Sequence, residues 1–327
     1  MKTKPYICIF SDRANFTWNL HPLFAHLNSC EDLDVSMVGL IEKRTWGLKG
    51  TYSNVPYCTN LHRKPDLIIT NHGWWDQGYK VCIWAAQNKI SVVAVEHGCT
   101  MVHSKLAKYR QNIGLATRKC LWSEINMKLM KRYSPANERT CVITGNPRYD
   151  ELQNFQPRDL GLPDEFALVL STWSLQKDLA RIHANALSEI LPVVVKVHPN
   201  ETYYPNKHPE RVVCKQVRLV YDQNDLFTLL FRCKFVVTTI SSAMIPAILW
   251  NKPIFLINQP DKNIDLAAFK NDYSDVFNFK TNQSWTEEMI SNAIRPDDKS
   301  FHHFGHHQDG KNCERIVGVI KSLLVSA

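Results

Sequence analysis

No stretch of this chain approaches the roughly 18–20 uninterrupted apolar residues of a membrane-spanning helix. The N-terminus, MKTKPYICIFSD, sets two lysines before a short apolar run. That run meets Asp12 and Arg13 with no small-residue cleavage site, so it reads as a first strand and not as a signal peptide. None of the ten cysteines form a CxxC pair. Cys8, Cys82, Cys120 and Cys141 sit inside apolar patterns, as small core hydrophobes of a reducing compartment do, and the expectation is a cytoplasmic protein. Also missing are a Walker loop, a GxGxxG turn and a DxD-like acidic pair between a strand and a turn. Their absence argues against NTP hydrolysis, nicotinamide chemistry and metal-dependent transfer. Repeats, coiled-coil heptads and low-complexity tracts are lacking as well.

What the chain does contain is ordinary for a globular protein: 327 residues, 44% hydrophobic and 21% charged, enough for two domains. Lys and Arg number 39 against 31 Asp and Glu, a formal charge of +8. The excess is dense in KLAKYRQNIGLATRK (105–119) and KLMKR (128–132). It suits a polyanionic partner, whether nucleic acid, a phosphate-rich polymer or an acidic membrane face, and equally a solvated helix face.

Short apolar runs alternate with helix-like stretches. YICIF (6–10), VSMVGL (35–40), DLIIT (66–70), VVAV (92–95), KCLW (119–122) and TCVIT (140–144) form a first series. FALVLST (166–172), VVVKVHP (193–199), RLVY (218–221), KFVVTT (234–239) and PIFLIN (253–258) form a second. Strand, helix, strand at this spacing predicts βαβ units and parallel sheets. Residues 151–165, ELQNFQPRDLGLPDE, lapse into polar and proline-bearing sequence and read as a linker. The expected fold is α/β, two facing Rossmann-like domains with a cleft between them. An acceptor-side domain would span 1–150, and a nucleotide-donor domain with the terminal helix would span 166–327.

In such sheets ligands bind outside the carboxyl ends of the strands, which selects the loops that follow them. EHG (96–98) ends a deeply apolar strand: His97 is placed to meet a ligand hydroxyl, Gly98 clears room, and Glu96 can orient the imidazole. SDRANFTW (11–18) contributes Asp12, the alternative base. NHGWWDQG (71–78) contributes Trp74 and Trp75, able to stack on a sugar or base, and Asp76. In the second series His198 follows VVVKV, and TTISSAM (238–244) sets Thr239, Ser241 and Ser242 before a helix. That turn is an anion site if its N–H groups are free, and a plain cap if they are not. HHFGHH (302–307) has histidines four apart but no acidic company, and no metal site is expected.

The set EHG, TGNPRYD (144–150), LVLSTWSLQKD (168–178), VKVHP (195–199), NDLFTLLFRCKFVVTTISSAMIPAILWNKPIFLI (224–257) and DGKNCERIV (309–317) resembles the CDP-glycerol glycerophosphotransferases of teichoic-acid synthesis and related capsule transferases. More loosely it resembles UDP-N-acetylglucosamine 2-epimerases. All share the GT-B fold. The resemblance implies a metal-independent transferase with no cofactor beyond its nucleotide-activated sugar or CDP-polyol donor. It implies His97 as acceptor base, and His198, Ser241, Ser242 and Trp173 on the donor side; position at strand ends adds Thr239 and Arg148 to the donor side, and the tryptophan loop and the basic stretch place Trp74, Trp75, Asp76 and Lys105 on the acceptor side. The acceptor would be a polyanion, a glycopolymer or DNA, and contact with a membrane surface is compatible with the charge. The chain departs from the glycerophosphotransferase pattern around the serine pair, where Thr239, Ile240 and Pro246 stand in place of acidic and aromatic residues. A nucleotide sugar therefore suits it at least as well. A DNA glycosyltransferase, an epimerase and an inactive nucleotide-binding scaffold are the rival readings.

Overall fold

The structure is a computed structural model that describes residues 3–11, 14–39, 63–71, 76–96, 115–133, 135–171, 177–198, 217–257, 266–280, 282–305, 307 and 309–325. The first series comprises β1 (Tyr6–Ser11), α1 (Ala14–Asn28), β2 (Asp34–Gly39), β3 (Leu67–Thr70), α2 (Asp76–Gln87), β4 (Ser91–Val95), β5 (Arg118–Leu121), α3 (Glu124–Tyr133) and β6 (Cys141–Ile143). The second begins with β7 (Ala167–Leu170), α4 (Lys177–Ser188), β8 (Val193–Lys196), β9 (Val217–Val220), α5 (Leu226–Arg232) and β10 (Phe235–Thr238). It continues with α6 (Ile245–Leu249), β11 (Ile254–Ile257), α7 (Leu266–Tyr273), β12 (Asn278–Lys280), α8 (Glu287–Ser291) and α9 (Asp298–Gly305). A last helix, α10 (Asn312–Val325), follows.

Two compact units result, one holding the described residues up to Gln153 and from His302 onward, the other Asn154–Phe301. The first unit's sheet runs β2-β1-β3-β4-β5-β6, parallel throughout. The second runs β12-β11-β10-β7-β8-β9, also parallel. Parallel strands covered on both faces need apolar residues at every position, and β3, β7, β8, β10 and β11 are buried along their whole length. Alternate residues serve opposite faces. Ile7, Ile9, Ile69, Val93 and Val95 meet Leu20, Leu23 and Leu27 of α1, whereas Ile68, Val92 and Ala94 meet Val81, Cys82 and Ala85 of α2.

The order of strands reverses between β1 and β3 in the first sheet and between β7 and β10 in the second. These reversals are the positions at which open α/β sheets hold ligands at their carboxyl edges.

Two parts of the chain differ from the sequence expectation. The terminal helix, expected with the second domain, belongs to the first: Cys313, Ile316, Val317 and Ile320 of α10 join the cluster of α1, β1, β3 and β4. Helical periodicity reveals an apolar stripe but not which sheet receives it. The stretch read as a linker is also bound in place from residue 154 onward. Phe155 packs edge-on against Phe227 and lies 5.5 Å from the Trp250 ring. The backbone N–H of Arg158 donates to Thr228 Oγ1, and its guanidinium pairs with Asp225. Arg218 Nη1 donates to the Gly161 carbonyl at 2.8 Å.

Candidate functional site

The carboxyl edge of the second sheet is built on three adjacent strands, β10, β7 and β8. Beyond β7, the N–H of Ser171 donates to the Lys196 carbonyl at 3.0 Å, continuing the ladder one residue past the strand. Its Oγ accepts the backbone N–H of His198 at 2.9 Å. Lys196, the last residue of β8, is only 4% exposed; its Nζ donates to the carbonyls of Val197 at 2.8 Å and Tyr221 at 3.4 Å. His198 is half-buried at the tip of that strand. Burial first, and then the Lys196 charge, push its imidazole down to about 4.

A neutral imidazole has one donor and one acceptor nitrogen. Only about one in a thousand such groups is protonated at pH 7, so His198 is unsuited there to serve as a cationic phosphate clamp or as a proton donor. It can give and take hydrogen bonds.

Beyond β10, Thr238 and Thr239 are buried. Thr238 Oγ1 has no hydrogen-bond partner. Ser241 adopts an extended backbone, φ −149° and ψ 144°, and its Oγ accepts the N–H of Ala243 at 3.3 Å. It caps a single 3-10 turn, Ser242–Met244, that leads into α6 with a proline in its first turn. The Ser241 hydroxyl is thus engaged as a cap acceptor, and half-buried Ser242 stands in the turn itself. A further buried group lies under α4: Trp285 Nε1 donates to His183 Nδ1 at 3.1 Å, and Lys280 Nζ stands 5.1 Å from the Trp285 ring. Burial, with Lys280 second, pushes His183 down to about 4.

The first sheet's edge is of opposite character. Glu96, directly after β4, is 4% exposed, and its Oε2 accepts Asn126 Nδ2 at 2.6 Å. Ser123 Oγ in turn donates to Asn126 Oδ1 at 2.8 Å, fixing the amide's orientation. Trp122 Nε1 donates to the Glu96 carbonyl at 2.6 Å. The start of α3 thus holds a buried carboxylate from the side.

Of the residues selected from sequence, His97, Asp12, Trp74, Trp75, Lys105 and Trp173 lie outside the described residues. Asp76 opens α2. Arg148 stands in the first unit, in a 3-10 turn (Pro147–Leu152) capped by Asn146, whose Oδ1 accepts its N–H at 3.0 Å.

TGNPRYD also proves to be one half of an internal clasp with DGKNCER. Asp150 Oδ1 and Oδ2 accept the N–H groups of Asn312 and Cys313, each at 2.8 Å, and so cap α10. Asn312 Nδ2 donates to the Asn146 carbonyl at 3.1 Å. Gly145, at φ +84°, passes so close that a Cβ would fall 1.9 Å from Asn312 Oδ1.

In the basic region, Lys119 is buried with Nζ 3.6 Å from Met130 Sδ, Arg118 Nη1 donates to the Thr117 carbonyl, and Lys131 pairs with Glu138 at 3.0 Å on the surface. Of HHFGHH, His302 and His303 end α9, with His303 Nδ1 3.7 Å from Glu124 Oε2. Among the described residues no three His, Cys, Asp or Glu side chains gather as metal ligands.

The sequence reading passed over Lys196, Ser171 and Asn126. A lysine inside VVVKV is itself a signal, since a charge among buried strand residues requires acceptors. Asn126 carries a weaker one, a serine three residues ahead of it at a helix start.

No family model and no curated protein matches the chain. Solved structures do. An S. aureus MnaA–UDP co-structure superposes with TM-score 0.69 at 16% identity, covering 98% of this chain and 97% of that one. The Methanocaldococcus jannaschii UDP-GlcNAc 2-epimerase in complex with UDP-GlcNAc and UDP gives 0.65 at 13%, covering 98% and 100%. A glycosyltransferase from Rickettsia africae gives 0.59 at 11%, covering 99% and 100%.

The chain has the GT-B fold. Each of its two units supplies one parallel sheet of that fold. No helix among the described residues is long and apolar enough to cross a membrane.

Proposed function

We propose that the protein is an enzyme that holds a nucleotide-activated donor at the carboxyl edge of the second unit's sheet and moves a sugar from a nucleotide sugar, or a polyol phosphate from a CDP-polyol, to an acceptor hydroxyl. One observation carries the donor side. Ser171, His198 and the Thr239–Ser242 turn end three adjacent strands at the reversal of strand order, where this class of sheet takes its ligand. Two neighbours of the same fold were solved with UDP.

In this reading His198 gives the donor's diphosphate a hydrogen bond from a neutral ring, and Ser242 with the turn's N–H groups gives others. Trp173 is assigned to the nucleotide, and Arg148, in the first unit's capped 3-10 turn, is not assigned to this edge. On the acceptor side His97 takes the hydroxyl proton, with Glu96 orienting it and Asp12 as the alternative base. Trp74, Trp75, Asp76 and Lys105 receive a polyanionic acceptor. The reaction uses no metal or cofactor, because fixed dipoles and hydrogen bonds stabilise the departing phosphate.

A second reading, epimerisation of the donor, is favoured by the fold neighbour from Methanocaldococcus jannaschii, a UDP-GlcNAc 2-epimerase, as transfer is by the Rickettsia africae glycosyltransferase. One experiment separates the two. The chain is incubated with UDP-GlcNAc and the nucleotide products are followed by NMR and mass spectrometry. A transferase releases UDP only when an acceptor is added. An epimer of the donor formed without any acceptor would replace the transfer reading with epimerisation. The donor base is read first, from thermal shifts with CDP, UDP, CMP and GDP, where a ligand at 100 times its dissociation constant adds about 2.7 kcal/mol.

A further inference from the structure

A lysine buried to 4% exposure at the end of an apolar strand is unfavourable unless its ammonium is well supplied with acceptors. Lys196 has acceptors of an unusual kind: main-chain carbonyls that leave two neighbouring strands. In the ladder it stands opposite Leu170 of β7 on one side and Val220 of β9 on the other. Its Nζ reaches forward to the Val197 carbonyl, directly ahead of His198, and across to the carbonyl of Tyr221, directly after β9. From the opposite side, Ser171 Oγ accepts the His198 N–H. The peptide that carries the imidazole is therefore fastened on both flanks.

We propose that Lys196 is the positioning residue of His198: it ties the ends of β8 and β9 together through their carbonyls, fixes the backbone from which the imidazole projects, and sets its amino group beside the ring. The inference rests on the reading of this edge as the donor site.

The charge has a consequence of its own. Burial and Lys196 together hold the imidazole neutral, so it meets a donor as the same hydrogen-bonding group across the physiological range. Asp225, paired with Arg158, and Asp222 are the carboxylates in this electrostatic neighbourhood. Lys196 in turn favours the ionised form of Asp225.

The test uses the full chain with three substitutions. Lys196→Arg keeps charge and donors, Lys196→Gln keeps a donor without charge, and Lys196→Met keeps neither. Folding is checked by a cooperative melt. The His198 ring is titrated by NMR on histidine-labelled protein, assigned by its loss in His198→Gln, and UDP affinity is measured by calorimetry at pH 7. The proposal expects the His198 midpoint to rise in the Gln and Met variants by about one pH unit and to stay low in Arg. It expects UDP binding to weaken about tenfold in Met and less in Gln, with Arg close to wild type. If Met does not fold, Gln carries the titration test. A folded Gln variant whose His198 titrates as in the wild type would overturn the role of the charge. Unchanged UDP affinity in a folded Met variant of a chain that binds UDP would overturn the positioning role. A wild-type chain that binds none of UDP, CDP, CMP and GDP would instead overturn the donor assignment, and the titration would still decide whether Lys196 governs His198.

Discussion

The two sheets end in opposite ways. At the first edge a carboxylate, Glu96, is buried and steadied by the neutral amide of Asn126. At the second edge a cation, Lys196, is buried and steadied by neutral carbonyls, with an uncharged histidine beside it. Each edge therefore sets one buried ionisable side chain against neutral hydrogen-bonding groups, a glutamate in the first unit and a lysine in the second. Proton removal from a hydroxyl is helped by negative charge behind the base, and departure of a phosphate is helped by positive charge near its oxygens.

The strongest way to break this contrast is at the residue next to Glu96. His97→Ala should lower turnover by about 10²–10⁴-fold while leaving UDP affinity intact, because a general base acts on the acceptor alone. Near-normal turnover beside a dead Asp12→Asn would transfer the role to Asp12.

The charge frame of the first edge comes next. Glu96→Ala strands the Asn126 amide in a buried site and should cost about 1–3 kcal/mol in a denaturant melt. Glu96→Gln can still turn a carbonyl oxygen to Asn126 and should lose much less. Equal losses in the two variants would remove the distinction between hydrogen bond and charge.

Acid should separate the units in a third way. His183 and His198 in the second unit are both held neutral with midpoints near 4. The unfolded chain takes up these protons below about pH 6.5, while the folded chain does not until about 4. Their contribution to stability is therefore complete above about 6.5 and declines as the pH falls towards 4. Replacing both by Gln should flatten that decline in melts run across this window, and an unchanged slope would assign acid sensitivity elsewhere. The smallest effect belongs to the cap. Ser241→Ala should lower stability by about 1 kcal/mol through loss of the bond to Ala243. UDP affinity should fall further only when Ser242 is replaced as well.

The sheets were largely legible from sequence because strands buried on both faces are unbroken apolar runs. Eleven apolar runs read from the sequence coincide with β1 to β11, within a residue or two at most ends. The strand that escaped, β12, is three residues long, Asn278–Lys280, and lies at the sheet edge, where a polar first residue and a buried lysine hide the pattern. Helix α1 begins at Ala14, six residues before the apolar periodicity at 20–27 suggests.

The site was legible as a set of strand tips but not as chemistry. Position alone marked His198, yet its charge state depends on Lys196 and on burial, which strand spacing does not encode. Ser241 could be read as anion donor or as cap, and only the backbone angles at that turn decide that its hydroxyl is a cap. TGNPRYD was selected by the same filter and instead serves the clasp with α10, since a motif that closes a fold and one that binds a ligand can use the same small and polar residues.

That clasp bears on the order in which the molecule can be made. Asp150 lies 162 residues before Asn312, whose N–H it accepts, and α10 supplies Ile316 and Ile320 to the core around β1, β3 and β4. A ribosome delivers the whole of the second unit before it delivers α10. The first unit must therefore wait with an open apolar face on α1 until α10 has been made, while the second can close its own core sooner. Of the two units, the one begun first is the one completed second.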